Sequence, residues 1–134
     1  MKETVTFFIL NRKFVDEKDA DPQAKQLVYY GLAIGHHLGV IDCFKPALEC
    51  PYDRYIEWLD LIPGEKARHK LAGIPRYGEI VIDSSHVTML AKALAAMTDD
   101  VELEFLGWRD ELMKMLAMIQ EEPAIHLVVR RLND

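Results

Sequence analysis

Apolar positions along the chain follow two rhythms, one of alternate residues and one of every third or fourth. Thr4 to Asn11, TVTFFILN, is apolar on both faces of an extended chain, the pattern of a strand in the middle of a sheet. Beyond the acidic VDEKDADP, Asp21 offers an N-cap acceptor and Pro22 an N1 residue, which predicts a helix from Pro22 to about Leu38. From Leu27 to Ile34 this helix is apolar on nearly every side, so it must be surrounded. A second helix is expected from about Pro51 to Leu61, with Tyr52, Tyr55, Ile56 and Leu59 on one stripe and Pro63-Gly64 ending it. A short helix from Glu65 to Leu71 follows, stopped by Gly73 and Pro75.

GEIVID, Gly78 to Asp83, reads as a compact strand. Ser84 or Ser85 then caps a helix from His86 to Met97, whose inner face is Val87, Leu90, Ala91 and Leu94. In the last helix, opened by TDDVELEF, Asp99 and Glu102 stand at capping-box spacing. Trp108, Leu112, Met115, Leu116 and Ile119 recur at helical intervals before Pro123 ends it. AIHLVVRRL, Ala124 to Leu132, closes the chain as a strand in which Ile125, Leu127 and Val129 alternate with His126, Val128 and Arg130. These elements predict an α+β fold: a small mixed sheet of three or four strands covered by about five helices, in a single domain over residues 1–134.

Composition narrows the function. A chain of 134 residues buries about two thirds of its unfolded surface and needs no disulfide or metal to fold. Its net charge is -6. The basic pairs Arg12-Lys13 and Arg130-Arg131 are too few to neutralise a run of phosphates, so nucleic acid is not an expected partner. No apolar run is long enough to span a bilayer, and MKETVTFFILNRKF has no secretory cleavage site, so no membrane insertion is expected and the cytoplasm is the expected compartment. Cys43 and Cys50, with six residues between them, match neither a zinc ribbon nor a redox pair and are expected as free thiols.

Candidate chemistry concentrates in GLAIGHHLGVIDCF. Gly31, Gly35 and Gly39 share one helix face and leave a groove for a close neighbour, within the chain or from a partner. His36 and His37 fall in the last helical turn, and Gly39 suits a left-handed C-cap. As a metal site, His36 or His37 with Cys43 or Asp42 needs a further donor such as Cys50 or His86. As a nucleophile, Cys43 with a histidine and Asp42 lacks a visible oxyanion pocket.

Elsewhere Asp83 and His86 flank a strand end and a helix start, where capping accounts for them. Met113, Met115 and Met118 point in different directions, so not all enter one core. Arg130 and Arg131 face opposite sides of a strand, one suited to an acidic neighbour and the other to a partner carboxylate. No phosphate loop, H-E-x-x-H or G-x-S-x-G motif occurs.

The blocks LVYYGLAIGHHLGVIDC, GEIVIDSSHVTMLAKAL and AIHLVVRRL closely resemble the formate hydrogenlyase maturation proteins of the HycH type. The similarity runs over nearly the whole chain and is most specific from Gly35 to Cys43. It implies a non-enzymatic accessory protein without a cofactor of its own. Its partner would be the precursor of the nickel-iron hydrogenase large subunit of formate hydrogenlyase, held during metal-centre assembly. On that reading Gly35, His36, His37, Asp42, Cys43, Asp83, His86, Arg130 and Arg131 are the candidate partner-binding residues. The alternative is a metal-handling protein, or a small metal- or thiol-dependent enzyme, using His36 or His37 with Cys43.

Overall fold

The computed structural model describes residues 3–11 and 45–133. The helix expected from Pro22 to Leu38 lies outside the described residues, as do Gly31, Gly35, His36, His37, Gly39, Asp42 and Cys43. The described elements are β1 (Glu3–Asn11), β2 (Lys45–Pro51), α1 (Tyr52–Leu59), α2 (Glu65–Leu71), α3 (Gly73–Tyr77), β3 (Glu79–Ile82), a 3-10 turn (Ser84–His86), α4 (Val87–Ala95), α5 (Leu103–Glu121) and β4 (Ile125–Asn133).

The four strands form one sheet in the order β2-β1-β4-β3. β1 is interior, as its two apolar faces predict, pairing with β2 on one side and with β4 from Glu3↔Asn133 to Asn11↔Ile125 on the other. All pairings among the described strands are antiparallel, so the sheet is not mixed as expected. Two helices separate β3 from β4, and an even number of passes returns the chain in the opposite direction.

No strand was expected at β2, and Pro46 and Pro51 are ordinary signs against a ladder. β2 is tolerated as an outer strand of the described sheet, where proline costs least. The register against β1 slips between Phe7 and Phe8, which leaves Ala47 as the extra residue of a bulge. With the strand running through Pro51, α1 starts at Tyr52 and ends at Leu59, shorter than the periodicity suggested.

Gly73 does not stop the helical chain. It opens α3, and a Cβ on it would stand 2.5 Å from Ile80 Cγ2, so glycine is there to let the helix press on β3. Pro75 sits in the first turn of α3, where its missing N–H is not needed. The stop comes at Gly78, whose φ of 80° is the left-handed C-cap.

Two caps also differ from expectation. Asp83, not a serine, caps the turn before α4, and the helix proper begins at Val87. α5 begins at Leu103 without a capping box, because Asp99 is drawn to Arg109 at 2.8 Å and Glu102 to Arg54.

The helices cover one face of the sheet. Val5, Phe7, Ile80, Ile82, Leu127 and Val129 meet Tyr55, Trp58, Leu90, Leu112, Leu116 and Ile119 in one core cluster. Trp58 and Trp108 pack edge to face at 6.0 Å, and Phe105 meets Trp108 at 5.4 Å, geometry that adds roughly 1 kcal/mol per pair beyond burial. Thr6, Leu10, His126 and Val128 alternate with these core residues and are buried as well, so the centre of the sheet is enclosed on both faces. Met115 is buried, Met113 half-buried and Met118 exposed, as their helical spacing required.

Candidate partner-binding surfaces

One candidate cluster forms where β3 turns into α4. Asp83 Oδ1 accepts from the Ser85 backbone N–H at 2.9 Å and from Ser85 Oγ at 2.5 Å, while His86 Nδ1 accepts from the Asp83 N–H at 3.0 Å. This is a capping box with imidazole where glutamate usually stands. Because Nδ1 is an acceptor, neutral His86 carries its proton on Nε2. Burial, and then the charge of Lys70, push the His86 pKa down against the pull of Asp83. The Ser85 hydroxyl, its N–H and nearby positive charge hold the Asp83 carboxyl below its ordinary value.

Serine, aspartate and histidine side by side invite comparison with a hydrolase. The connections run otherwise: Ser85 Oγ gives its hydrogen bond to the carboxylate and not to the imidazole, so the serine–histidine link of a triad is not made. The chemistry of these three groups goes into starting a helix.

The second cluster lies at the opposite end of the sheet. Arg130 Nε meets Glu79 Oε1 at 2.5 Å, across the register pair Glu79↔Arg130. Arg131 reaches Glu3 Oε2 through Nε at 3.0 Å and Nη2 at 2.5 Å, and its guanidinium lies 3.9 Å from the centre of the Tyr52 ring. Both arginines therefore use carboxylates of this chain, and the bidentate handle expected for a partner is engaged within the fold. Beside them is a hollow of about 710 Å³ with Glu3, Glu49, Tyr52 and Asp53 in its walls. Cys50 adjoins it but is fully buried, and burial together with Glu104 pushes its thiol far above the usual range. A protonated, enclosed thiol is a poor nucleophile and a poor metal ligand.

The two supplementary metal donors considered from sequence, Cys50 and His86, thus stand at opposite ends of the sheet. Among the described residues no group of three or more His, Cys, Asp or Glu side chains is placed to hold a metal ion.

A third cluster was missed in the sequence. Arg54 is ion-paired with Glu57 at 2.6 Å, with Glu104 at 3.2 Å and with Glu102, and lies over the Phe105 ring at 4.5 Å. Only the Arg54–Glu57 spacing was visible in the sequence. Three carboxylates around one guanidinium leave an anionic patch where α1 meets the start of α5.

Comparison with known proteins decides the family. Residues 4–131 match the family described as "Formate hydrogenlyase maturation protein HycH". The chain belongs to this family. A protein of that same name from Escherichia coli (strain K12) is 54% identical to the chain over 140 aligned positions, covering all of both. "Hydrogenase-4 component J" from the same organism is 42% identical over 129 positions, covering 96% of this chain and 94% of its own length. No solved structure matches.

In this HycH family member the sheet sorts the candidate residues into two groups. Asp83 and His86 follow Ile82, which pairs with Leu127 at the end of the sheet where Asn11 leaves β1 and Lys45 enters β2. Arg130, Arg131 and Cys50 lie toward the other end. Among the described residues no helix is long and apolar enough to cross a membrane.

Proposed function

We propose that this HycH family member is a cytoplasmic, non-enzymatic accessory protein that binds the unprocessed precursor of the nickel-iron hydrogenase large subunit of formate hydrogenlyase during metal-centre assembly, with residues 1–134 acting as a single domain. The observation that carries this reading is the full-length similarity to a protein named for formate hydrogenlyase maturation. The geometry is compatible with it, since the Ser85, Asp83 and His86 groups serve as caps and Cys50 is enclosed. On this reading Gly35, His36, His37, Asp42, Cys43, Asp83 and His86 meet the partner. In support, Lys45 follows Cys43 by two residues and stands at the same end of the sheet as Asp83.

The test is a pull-down from anaerobic, formate-grown cells with the full chain as bait, comparing the unprocessed large subunit with its mature form. Selective capture of the precursor is expected. Capture of neither form overturns the reading.

A further inference from the structure

Charge is distributed unevenly along this acidic chain. From Asp99 to Glu122 there are eight carboxylates against two basic side chains, Arg109 and Lys114. From Glu65 to Lys92 the balance reverses, with five lysines and arginines against three carboxylates. The reversed stretch borders an open groove of about 560 Å³ between the start of α2 and the outer face of α4, a volume ordinary for a binding cleft.

The groove floor is made of small residues. A Cβ on Gly64 would stand 3.0 Å from the Ala93 Cβ, so the two elements meet there as closely as side chains allow. Met89 forms part of the wall, a flexible and polarisable side chain suited to apolar partners of varied shape.

Lys66 and Lys92 border this apolar surface. Several cations have uses inside the fold: Arg54, Arg109, Arg130, Arg131 and Lys114 pair with carboxylates, and Arg68 donates to the Ile62 carbonyl, while Lys70 and Arg76 make no ion pair among the described residues but lie outside the groove wall. Lys66 and Lys92 make no ion pair or hydrogen bond among the described residues, and Glu65 is the one acidic group in the groove wall. Two unpaired lysines in the wall of an apolar groove are complementary to apolar side chains accompanied by carboxylates. Two cations with one carboxylate in the same wall are too few for a polyphosphate backbone.

We propose that the groove between α2 and α4 binds an extended partner segment in which apolar side chains alternate with carboxylates, Lys66 and Lys92 selecting the carboxylates. This inference rests on the reading of the chain as a precursor-binding protein and adds the chemistry of the segment it grips.

The experiment uses the full chain and a fluorescein-labelled dodecapeptide of alternating leucine and glutamate with serine spacers, followed by fluorescence polarisation. A second peptide has glutamine for every glutamate. The acidic peptide is expected to bind about tenfold more tightly, the effect of two partly exposed charge pairs. That preference should vanish in the K66E/K92E double variant, whose exposed positions leave the fold unchanged by circular dichroism. Ala96→Trp, which fills the groove, should weaken both peptides. Equal affinity for the two peptides, or a preference that survives K66E/K92E, overturns the proposal. So does a concentration-dependent dimer of the native chain that K66E/K92E abolishes, since the occupant would then be a second copy. If the native chain captures the precursor but shows no peptide preference, the groove inference fails and the functional reading stands. If it captures no precursor, the functional reading fails whatever the peptides do.

Discussion

The two ends of the sheet carry similar residue types and use them differently. At the Asp83 end, the carboxylate accepts from the Ser85 N–H and hydroxyl and the imidazole accepts from the Asp83 N–H, a local arrangement within four residues that closes the turn before the next helix. At the Arg131 end, Glu3 is joined to a residue more than a hundred positions away, and the guanidinium also covers Tyr52. The first arrangement sets where one helix begins. The second ties the first strand to the last and to the helix after β2. A polar cluster therefore says little about function until its partners are known.

The largest effect should come from cutting the long-range tie. Arg131→Ala removes the pair with Glu3 and the stacking on Tyr52, at a cost of about 2 kcal/mol, read as a drop of roughly 5–10 °C in Tm. A drop as small as that of Lys114→Ala, whose pair with Glu111 is solvent-exposed, would erase the difference between the two ends.

Asp83→Ala should cost about 1 kcal/mol in urea unfolding, the usual value of an N-cap, and Asp83→Asn should recover most of it because the amide oxygen still accepts from Ser85. Equal losses in the two variants would mean that charge, and not the cap, matters there.

The smallest effect is a pH dependence confined to the Asp83 end. The folded chain lowers the His86 pKa, so the unfolded chain takes up the proton first on acidification. The stability from neutral His86 is present above its ordinary pKa of 6.5 and is lost as pH falls through the lower folded value. Asp83 behaves likewise in a more acid window, below 3.8. Urea titrations of the native chain should show a small loss as pH falls below 6.5, and His86→Gln should flatten it. An unchanged slope in the variant would assign the dependence to another group.

Most of the fold was legible in the sequence because period and punctuation agree over most of it. The double-faced TVTFFIL of β1, the compact β-branched run of GEIVID and the tryptophan-to-isoleucine spacing of α5 each point to one answer. β2 was hidden because its two prolines are ordinary signs against a strand, and only its position at the edge of the described sheet makes them tolerable. Gly73 was misread because a glycine needed for close contact with Ile80 looks the same in sequence as one that ends a helix. The capping role of Asp83 was legible, since its partners are within three residues. The engagement of Arg131 was not, since Glu3 and Tyr52 come near only through the sheet. The Arg54 cluster and the α2–α4 groove were invisible for the same reason. Gly35 to Cys43, where the family resemblance was expected to be most specific, lies outside the described residues.

The register between β1 and β4 also governs the order in which this protein assembles as it is made. β1 pairs along its whole length with a strand synthesised more than a hundred residues later. At ordinary elongation rates that interval is roughly 6–20 seconds, during which β2 can occupy one side of TVTFFIL while the other keeps its backbone groups unpaired. A protein that, on the reading above, attends an unfinished subunit thus passes through an unfinished state of its own, with its most apolar strand waiting for the last one to arrive.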